Sequence, residues 1–110
     1  METLTKGEII LVPFPYTNLT NSKLRPCLVL SDDLADDVLL AQITSQKIRA
    51  DNYSVELKLQ DTINGSLQID SLVRCNMLFT AHKRLCVKKI CKLKKEKYDE
   101  TTQKIIELIS

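Results

Sequence analysis

Short apolar runs separated by polar segments make up most of the chain, and they constrain its fold more than any other feature. Six runs, rich in β-branched residues, span residues 7–14, 25–31, 38–44, 53–59, 71–76 and 85–93. Runs of this length, bounded by Asn, Ser, Thr and Asp, predict β-strands rather than helices. Residues 78–84 are expected to connect the last two strands, and Asn64-Gly65 predicts a turn in the irregular segment 60–69.

Helical periodicity is found only at the end of the chain. Apolar side chains there recur every three to four residues and predict one amphipathic C-terminal helix. The predicted stripe consists of Tyr98, Thr102, Ile105, Ile106 and Ile109. Lys94, Lys95 and Lys97 fall in the first turn of this helix. Positive charge there opposes the helix dipole and lowers helix stability by roughly 0.3 kcal/mol for each lysine.

A chain of 110 residues and 12.5 kDa is expected to form a single domain over residues 1–110, because two halves would each be too small to bury a core. Five to seven short strands followed by one helix indicate a mainly β architecture. The sheet is expected to curl into a small β-barrel with the C-terminal helix packed on it.

Composition and cysteine spacing indicate the cellular compartment in which such a chain is expected. No apolar window approaches the ~20 residues of a membrane span, and the first residues do not read as a signal peptide. The four cysteines have no Cys-x-x-Cys spacing, and they lie inside the apolar runs. We therefore expect four reduced thiols and a cytoplasmic protein, with a disulfide framework as the alternative. The cysteines are Cys27, Cys75, Cys86 and Cys91.

Charge is distributed unevenly although the net charge is only +2. Residues 1–55 carry 5 basic and 7 acidic side chains, whereas residues 56–110 carry 11 and 7. Between Lys83 and Lys97 there are eight basic residues and one acid, Glu96. Such a run could contact a phosphate backbone, and an ordinary solvated face is an equally good interpretation.

Several kinds of catalytic site are missing from the sequence. His82 is the only histidine, and we expect it in a loop rather than in a catalytic role. A Ser-His-Asp triad stays open, but there is no Gly-x-Ser-x-Gly motif, no glycine-rich phosphate loop and no metal-ligand spacing. We therefore expect neither a metal nor a cofactor.

Two strand ends carry side chains that suit phosphate chemistry. Arg25 precedes Pro26 where a polar loop meets a buried run, and a guanidinium held there can fork onto a phosphate. Thr44 and Ser45 end the third run, followed by Gln46, and such groups can donate to a phosphoryl oxygen. Each feature taken alone also fits a surface arginine or a hydroxyl-rich turn.

Taken in order, these segments resemble the MazF/PemK family of toxin endoribonucleases from toxin–antitoxin systems. The resemblance rests on GEIILVPFPYTN, SKLRPCLVLS, VLLAQITSQ and DSLVRCNMLFT, followed by a basic segment. It covers the chain from Gly7 to the C-terminal helix. The Arg-Pro pair that opens the second strand and the Thr-Ser-Gln that ends the third are its most specific motifs.

The resemblance implies a fold, an activity and partners. The fold would be an SH3-like barrel with a helix, shared by MazF, PemK and the gyrase poison CcdB. The protein would be a homodimer that cuts single-stranded RNA, often mRNA, by attack of the RNA 2′-OH and without metal. A cognate antitoxin protein with an acidic tail would inhibit it.

Site residues follow from the same resemblance. Arg25 and Thr44 match the catalytic residues of MazF-like members, with Arg25 stabilising the phosphorane and Thr44 hydrogen-bonding the phosphate. Further candidates for a catalytic or substrate contact are Arg74, Asn76, Ser45 and Gln46. Candidates for tracking the RNA backbone are Lys23, Lys47 and Arg49.

The chain departs from the PemK pattern at two places. Asn76 stands where an Asp follows the Arg-Cys pair, and an amide cannot exchange a proton as a carboxylate does. Phe79 precedes Thr80 where the family has an Arg. Two alternatives stay open, and these departures bear on the second of them. One is a non-catalytic module that poisons a protein target, and the other is a homologue that only binds RNA or an antitoxin.

Overall fold

A curled antiparallel sheet and one helix form the structure, which is a computed structural model that describes residues 3–15, 22–45 and 51–110. Within these ranges the sheet has seven strands in the order β4-β6-β3-β2-β1-β7-β5. The strands are β1 Glu8–Pro15, β2 Ser22–Val29, β3 Asp37–Thr44, β4 Ser54–Leu57, β5 Thr62–Ile63, β6 Ser71–His82 and β7 Lys88–Leu93. The helix is α1 Lys95–Ile109, and short 3-10 turns lie at Leu59–Asp61 and Lys83–Leu85. The mainly β prediction, with a curled sheet and a C-terminal helix, is confirmed.

Both sides of the sheet are covered, because the strands alternate apolar side chains between two cores. On the side against which α1 packs, called here the helix face, Ile9, Leu28, Ile43 and Val73 cluster with Ile105 of the helix. On the other side, called the far face, a second cluster surrounds four fully buried side chains. These are Ile10, Cys27, Val29 and Leu40.

An aromatic pair extends the core of the far face. Phe14 of β1 and Phe79 of β6 meet edge to face, with ring centroids 5.3 Å apart and ring planes at 84°. Offset contacts of this kind add about 0.5–1.5 kcal/mol to the burial of the rings. Phe79, which replaces an Arg of the PemK pattern, is therefore a packing residue in this chain.

The second strand begins earlier than the sequence predicts. β2 starts at Ser22 and pairs with β1 through Leu24, Arg25 and Pro26, so Pro26 does not open the strand. β2 pairs with β3 only from Cys27 onward. Pro26 therefore lies just before that pairing, where its missing N–H withholds no hydrogen bond from β3.

The sixth strand is longer than predicted and contains an irregularity. Residues 78–82, expected in a connection, continue β6 and pair with β3 as far as Asp37 opposite His82. The register shifts between Ala41 and Gln42, because Ala41 lies opposite Leu78 whereas Gln42 lies opposite Arg74. A bulge of this kind lets one long strand bend and follow the curvature of the sheet.

The fourth run is partly a turn. β4 covers only Ser54–Leu57, because Leu59–Asp61 form a 3-10 turn. The Asp61 carboxylate accepts a hydrogen bond from the Lys58 N–H at 2.8 Å and fixes the start of this turn.

The turn predicted at Asn64-Gly65 is present. Both residues have positive φ, 57° at Asn64 and 126° at Gly65. A Cβ atom on Gly65 would collide with the carbonyl oxygen of Ile90, so this position requires glycine for space as well as for backbone conformation.

The helix forms as predicted, but the side chains that it buries are not all those of the predicted stripe. Thr101 is fully buried and Ile105 is 9% exposed, and Tyr98 packs beside them. Ile106 and Ile109 of the predicted stripe are exposed, and Thr102 is only half-buried. The helix rests on β4 and β6 through its 98, 101 and 105 positions, so the other apolar side chains lie along one edge of the contact.

The four cysteines are free thiols, as expected. Cys27, Cys75 and Cys91 are buried in strands, and burial raises the pKa of the Cys75 and Cys91 thiols to about 11. Within the described ranges, α1 is too short and too polar to span a bilayer.

Candidate active site

On the far face, Arg25 of β2 and Thr44 of β3 lie on neighbouring strands, each two residues beyond the last pair of the β2–β3 register. Cys27 of β2 lies opposite Gln42 of β3. Continued by two residues past this last pair, the register would set Arg25 opposite Thr44. Because side chains alternate along a strand, both lie on the same side of the sheet as the Cys27–Gln42 pair. Thr44 is 7% exposed and Arg25 is half-buried, so both side chains are partly desolvated.

Arg74 reaches the same face from the next strand along. It lies on β6 opposite Gln42 of β3 and opposite Ser54 of β4. Gln42 therefore separates two arginines, with Arg25 toward one side and Arg74 toward the other. We call Arg25, Gln42, Thr44 and Arg74 the far-face cluster. Its two guanidiniums and its hydroxyl are groups that bind phosphate oxygens.

Lys23 adds a third cation beside this cluster. It precedes Arg25 by two residues on β2 and lies opposite Phe14 of β1, so it belongs to the same face. Its side chain is exposed, as an RNA-contacting lysine requires. Of the candidates for backbone contact, Lys47 and Arg49 lie outside the described residues.

Arg25 interacts with the buried thiol of Cys27, two residues further along β2. Burial raises the pKa of the Cys27 thiol to about 12, and the Arg25 charge acts in the opposite direction. The thiol also donates a long hydrogen bond of 3.9 Å to the Arg25 carbonyl oxygen.

Sequence reasoning missed Ser54 and Asp51, which lie beside Arg74. Ser54 faces Arg74 across the β4–β6 pair. The Asp51 carboxylate accepts a hydrogen bond from the Tyr53 N–H at 2.8 Å. This bond, the nearby Ser54 hydroxyl and, more weakly, the Arg74 charge hold the pKa of Asp51 below its ordinary value. Neither residue has a local sequence signal, because only strand pairing brings them to Arg74.

Gln42 was also missed, although a signal for it exists. It is the one amide within the otherwise apolar run Val38–Ile43. Polar residues inside buried strands are rare enough to be noticed.

Other candidates lie away from the far-face cluster. Ser45 follows Thr44 but lines a groove of about 590 Å³ on the helix face, together with Pro26, Ile69 and Lys88. Asn76 is exposed and lies within the β6 irregularity. Gln46 lies outside the described residues.

The basic run Lys83–Lys97 is not one continuous patch. Four of its lysines are engaged in ion pairs, for example Lys89 with Glu8 at 3.1 Å and Lys83 with Asp33 at 3.1 Å. Lys95 pairs with Asp99, and Lys97 with Asp61 and Glu100. Among the described residues, four members of the run have no ion pair. These are Arg84, Lys88, Lys92 and Lys94.

His82 has a local structural role. It ends β6, and its Nδ1 accepts a hydrogen bond from the Arg84 N–H at 3.1 Å. Within the part of the chain that the structure describes, no three His, Cys, Asp or Glu side chains come together as a metal site.

Solved toxin structures share this architecture. The chain aligns with a MazE–MazF complex from Deinococcus radiodurans at a TM-score of 0.77 and 15% identity, covering 99% of this chain and 97% of that one. It aligns with the Mycobacterium tuberculosis toxin MazF-mt6 at 0.71 and 21%, covering 93% and 95%. A mycobacterial endoribonuclease in complex with its cognate antitoxin gives 0.73 and 13%, covering 96% and 94%. The molecule therefore has the fold of MazF-type toxins.

The sequence identifies the family. Residues 5–109 match the family of PemK-like, MazF-like toxins of type II toxin–antitoxin systems, and the chain belongs to that family. No curated protein sequence matches it.

Proposed function

We propose that this chain is a sequence-specific endoribonuclease toxin that cleaves single-stranded RNA, mRNA in particular, by attack of the RNA 2′-OH. The observation that carries the proposal is the far-face cluster. Arg25, Thr44 and Arg74 come from three strands to one end of one face, in a chain of the PemK-like, MazF-like family. Since RNA supplies its own nucleophile, the protein needs only to align the phosphate, stabilise charge and move protons.

The roles follow from the chemistry of each side chain. When the 2′-oxygen attacks, negative charge grows on the phosphorane oxygens, and the Arg25 guanidinium beside it stabilises that charge. The Thr44 hydroxyl donates to a non-bridging oxygen. A guanidinium keeps its proton at all ordinary pH, so Arg25 acts as an electrostatic group. Water takes the proton of the attacking 2′-OH and supplies the proton of the leaving 5′-oxygen.

Arg74 and Lys23 extend the positive surface on either side. Arg74 is the second group that can fork onto a phosphate oxygen, and Lys23 is exposed for the neighbouring phosphate. Asn76 lies outside the cluster and cannot carry a proton, so we assign it no step in the reaction. The positive charge is supplied by side chains, and we propose that cleavage requires no divalent metal.

The partners proposed are a second copy of the chain and a cognate antitoxin. The acidic tail of the antitoxin would cover the same cationic face as RNA and compete with it, and the competition would weaken with salt. An antitoxin segment that bound without protecting RNA would contradict this. Residues 1–110 would act as one domain, in the cytoplasm where mRNA is translated.

The experiment is RNA cleavage by purified protein in the presence of EDTA. The wild type is compared with Arg25→Ala and with Arg84→Ala, which removes an exposed guanidinium from the Lys83–Leu85 turn. We expect fragments from the wild type and from Arg84→Ala and none from Arg25→Ala. A wild type that bound RNA without cutting it would support the binding-only alternative, and full activity in Arg25→Ala would refute the site.

A further inference from the structure

Two buried polar atoms beside the far-face cluster have no hydrogen-bond partner. They are Arg74 Nε and Ser54 Oγ, and each is shielded from solvent. An unsatisfied buried polar atom costs about 1–3 kcal/mol, so a native structure that holds two of them together calls for an explanation. Asp33 Oδ1 is the third such atom among the described residues, and it lies elsewhere, in the connection between β2 and β3.

The two atoms belong to directly paired residues. Ser54 of β4 and Arg74 of β6 are register partners, so their side chains rise side by side from one face of the sheet. One atom is a fixed donor, since Nε carries a hydrogen, and a serine hydroxyl can accept as well as donate. Both are closed off from water, so a partner for each has to come from the protein. Rotation about the Cα–Cβ bond moves the Ser54 hydroxyl among three staggered positions, and a position within reach of the Arg74 Nε–H would satisfy both atoms.

A carboxylate is in place to orient that hydroxyl. Asp51 precedes Ser54 by three residues, and its Oδ1 is held by the Tyr53 N–H at 2.8 Å. The Tyr53 carbonyl in turn accepts a hydrogen bond from the Cys75 N–H at 2.9 Å, next to Arg74 on β6. The segment that carries Asp51 is therefore fixed to the same strand as the arginine.

We propose that Ser54 and Asp51 are positioning residues for Arg74 during RNA binding. Arg74 Nε donates to Ser54 Oγ, and the Ser54 hydroxyl donates to the Asp51 carboxylate. The Nε–H is then used inside the protein, and the two terminal nitrogens of the guanidinium point as a fork toward a phosphate oxygen. This inference rests on the proposed function, because it needs a bound RNA phosphate.

A double-mutant cycle isolates this arrangement. Lysine keeps the positive charge of Arg74 but has no Nε–H, so Arg74→Lys removes the proposed bond to Ser54 and leaves a cation in place. In the wild-type background, Ser54→Ala should lower kcat/KM for RNA cleavage roughly 10- to 100-fold, the range for a hydrogen bond to a charged group. In the Arg74→Lys background, the same change should alter kcat/KM by less than about 2-fold. Ser54→Thr keeps the hydroxyl and should restore most of the rate.

Asp51 is tested in the same way. Asp51→Ala should reproduce the loss seen for Ser54→Ala, and the two changes combined should cost little more than either alone. Thermal unfolding of each variant separates a positioning role from a folding defect, because the cycle predicts loss of rate that does not follow loss of stability.

The outcomes distinguish this inference from the function on which it rests. If the wild type cleaves RNA and the Ser54 and Arg74 effects simply multiply, positioning is refuted and the proposed function stands. If the wild type cleaves no RNA, both are refuted. Failure of Ser54→Thr to restore activity would also overturn the role assigned to the hydroxyl.

Discussion

Arg25, Thr44 and Arg74 are far apart in sequence and lie on the same face of three adjacent strands. The sequence predicts Arg25 and Thr44 as site residues, since each stands where an apolar run meets a polar segment and matches a motif of the family, and their roles stay a prediction. Their shared face could not be predicted, because it depends on the β2–β3 register. The neighbours of Arg74 were harder still, because a shift in the β3–β6 register decides which side chains it meets.

Removal of the Thr44 hydroxyl alone should slow cleavage and leave the fold intact. Thr44→Val keeps the β-branched shape of a buried side chain at the end of β3 and removes one donor to the phosphorane. We expect the RNA cleavage rate to fall roughly 10²–10³-fold, the range for loss of one such donor. Single-turnover cleavage of a labelled RNA measures the change.

A matched substitution on the helix controls for general effects. Thr102→Val makes the same change on α1, where the hydroxyl donates only to the Asp99 carbonyl oxygen. Its cleavage rate should stay within about 2-fold of wild type, since surface changes of this kind have small effects. Equal rates for Thr44→Val and the wild type would remove Thr44 from the mechanism.

At the scale of elements, the apolar runs predicted the strands well and their ends poorly. β1 and β3 follow their runs within a residue or two, because an apolar run and a strand end together where polar side chains need water. β2 and β6 extend past their runs, since a neighbouring strand offers hydrogen bonds to a polar backbone too. Such pairing is non-local and leaves no pattern in the run itself.

The turn at Gly65 is the element most sensitive to a single methyl group. Gly65→Ala places a Cβ against the Ile90 carbonyl oxygen at a φ that L-residues rarely adopt. We expect the free energy of unfolding to fall by at least about 2 kcal/mol, because steric overlap adds to backbone strain. Urea unfolding measures it. Ser66→Ala, one residue later, should stay within about 0.5 kcal/mol of wild type, and a similar value for Gly65→Ala would show that the turn is not rigid.

At the scale of the molecule, the sheet curls between two edge strands, β4 and β5, and leaves large apolar side chains in solvent. Examples are Ile69 at 55% exposed, Val87 at 59% and Ile109 at 76%. The curled architecture was predictable, because a small all-β sheet buries its strand residues and protects its edges by curling into a barrel. Surfaces of this kind favour association, in agreement with the proposed homodimer.

The molar mass in solution tests the proposed homodimer. Light scattering at micromolar concentration should give a species of twice 12.5 kDa. Raising the salt concentration should not dissociate it if apolar surface holds the two copies together. A stable 12.5 kDa species would contradict the homodimer and leave the site chemistry unaffected.

The central claim is that the RNA 2′-OH is the nucleophile and that protein cations, Arg25 above all, stabilise the transition state. The direct test is cleavage of an RNA oligonucleotide that carries a single deoxyribose immediately 5′ of the mapped scissile phosphate, in EDTA. The all-ribose substrate should give 2′,3′-cyclic phosphate and 5′-OH ends. The deoxy-substituted substrate should bind equally well, since its phosphate charges are unchanged, and stay intact. Cleavage of the deoxy-substituted substrate, or activity lost in EDTA and restored by magnesium, would contradict the account.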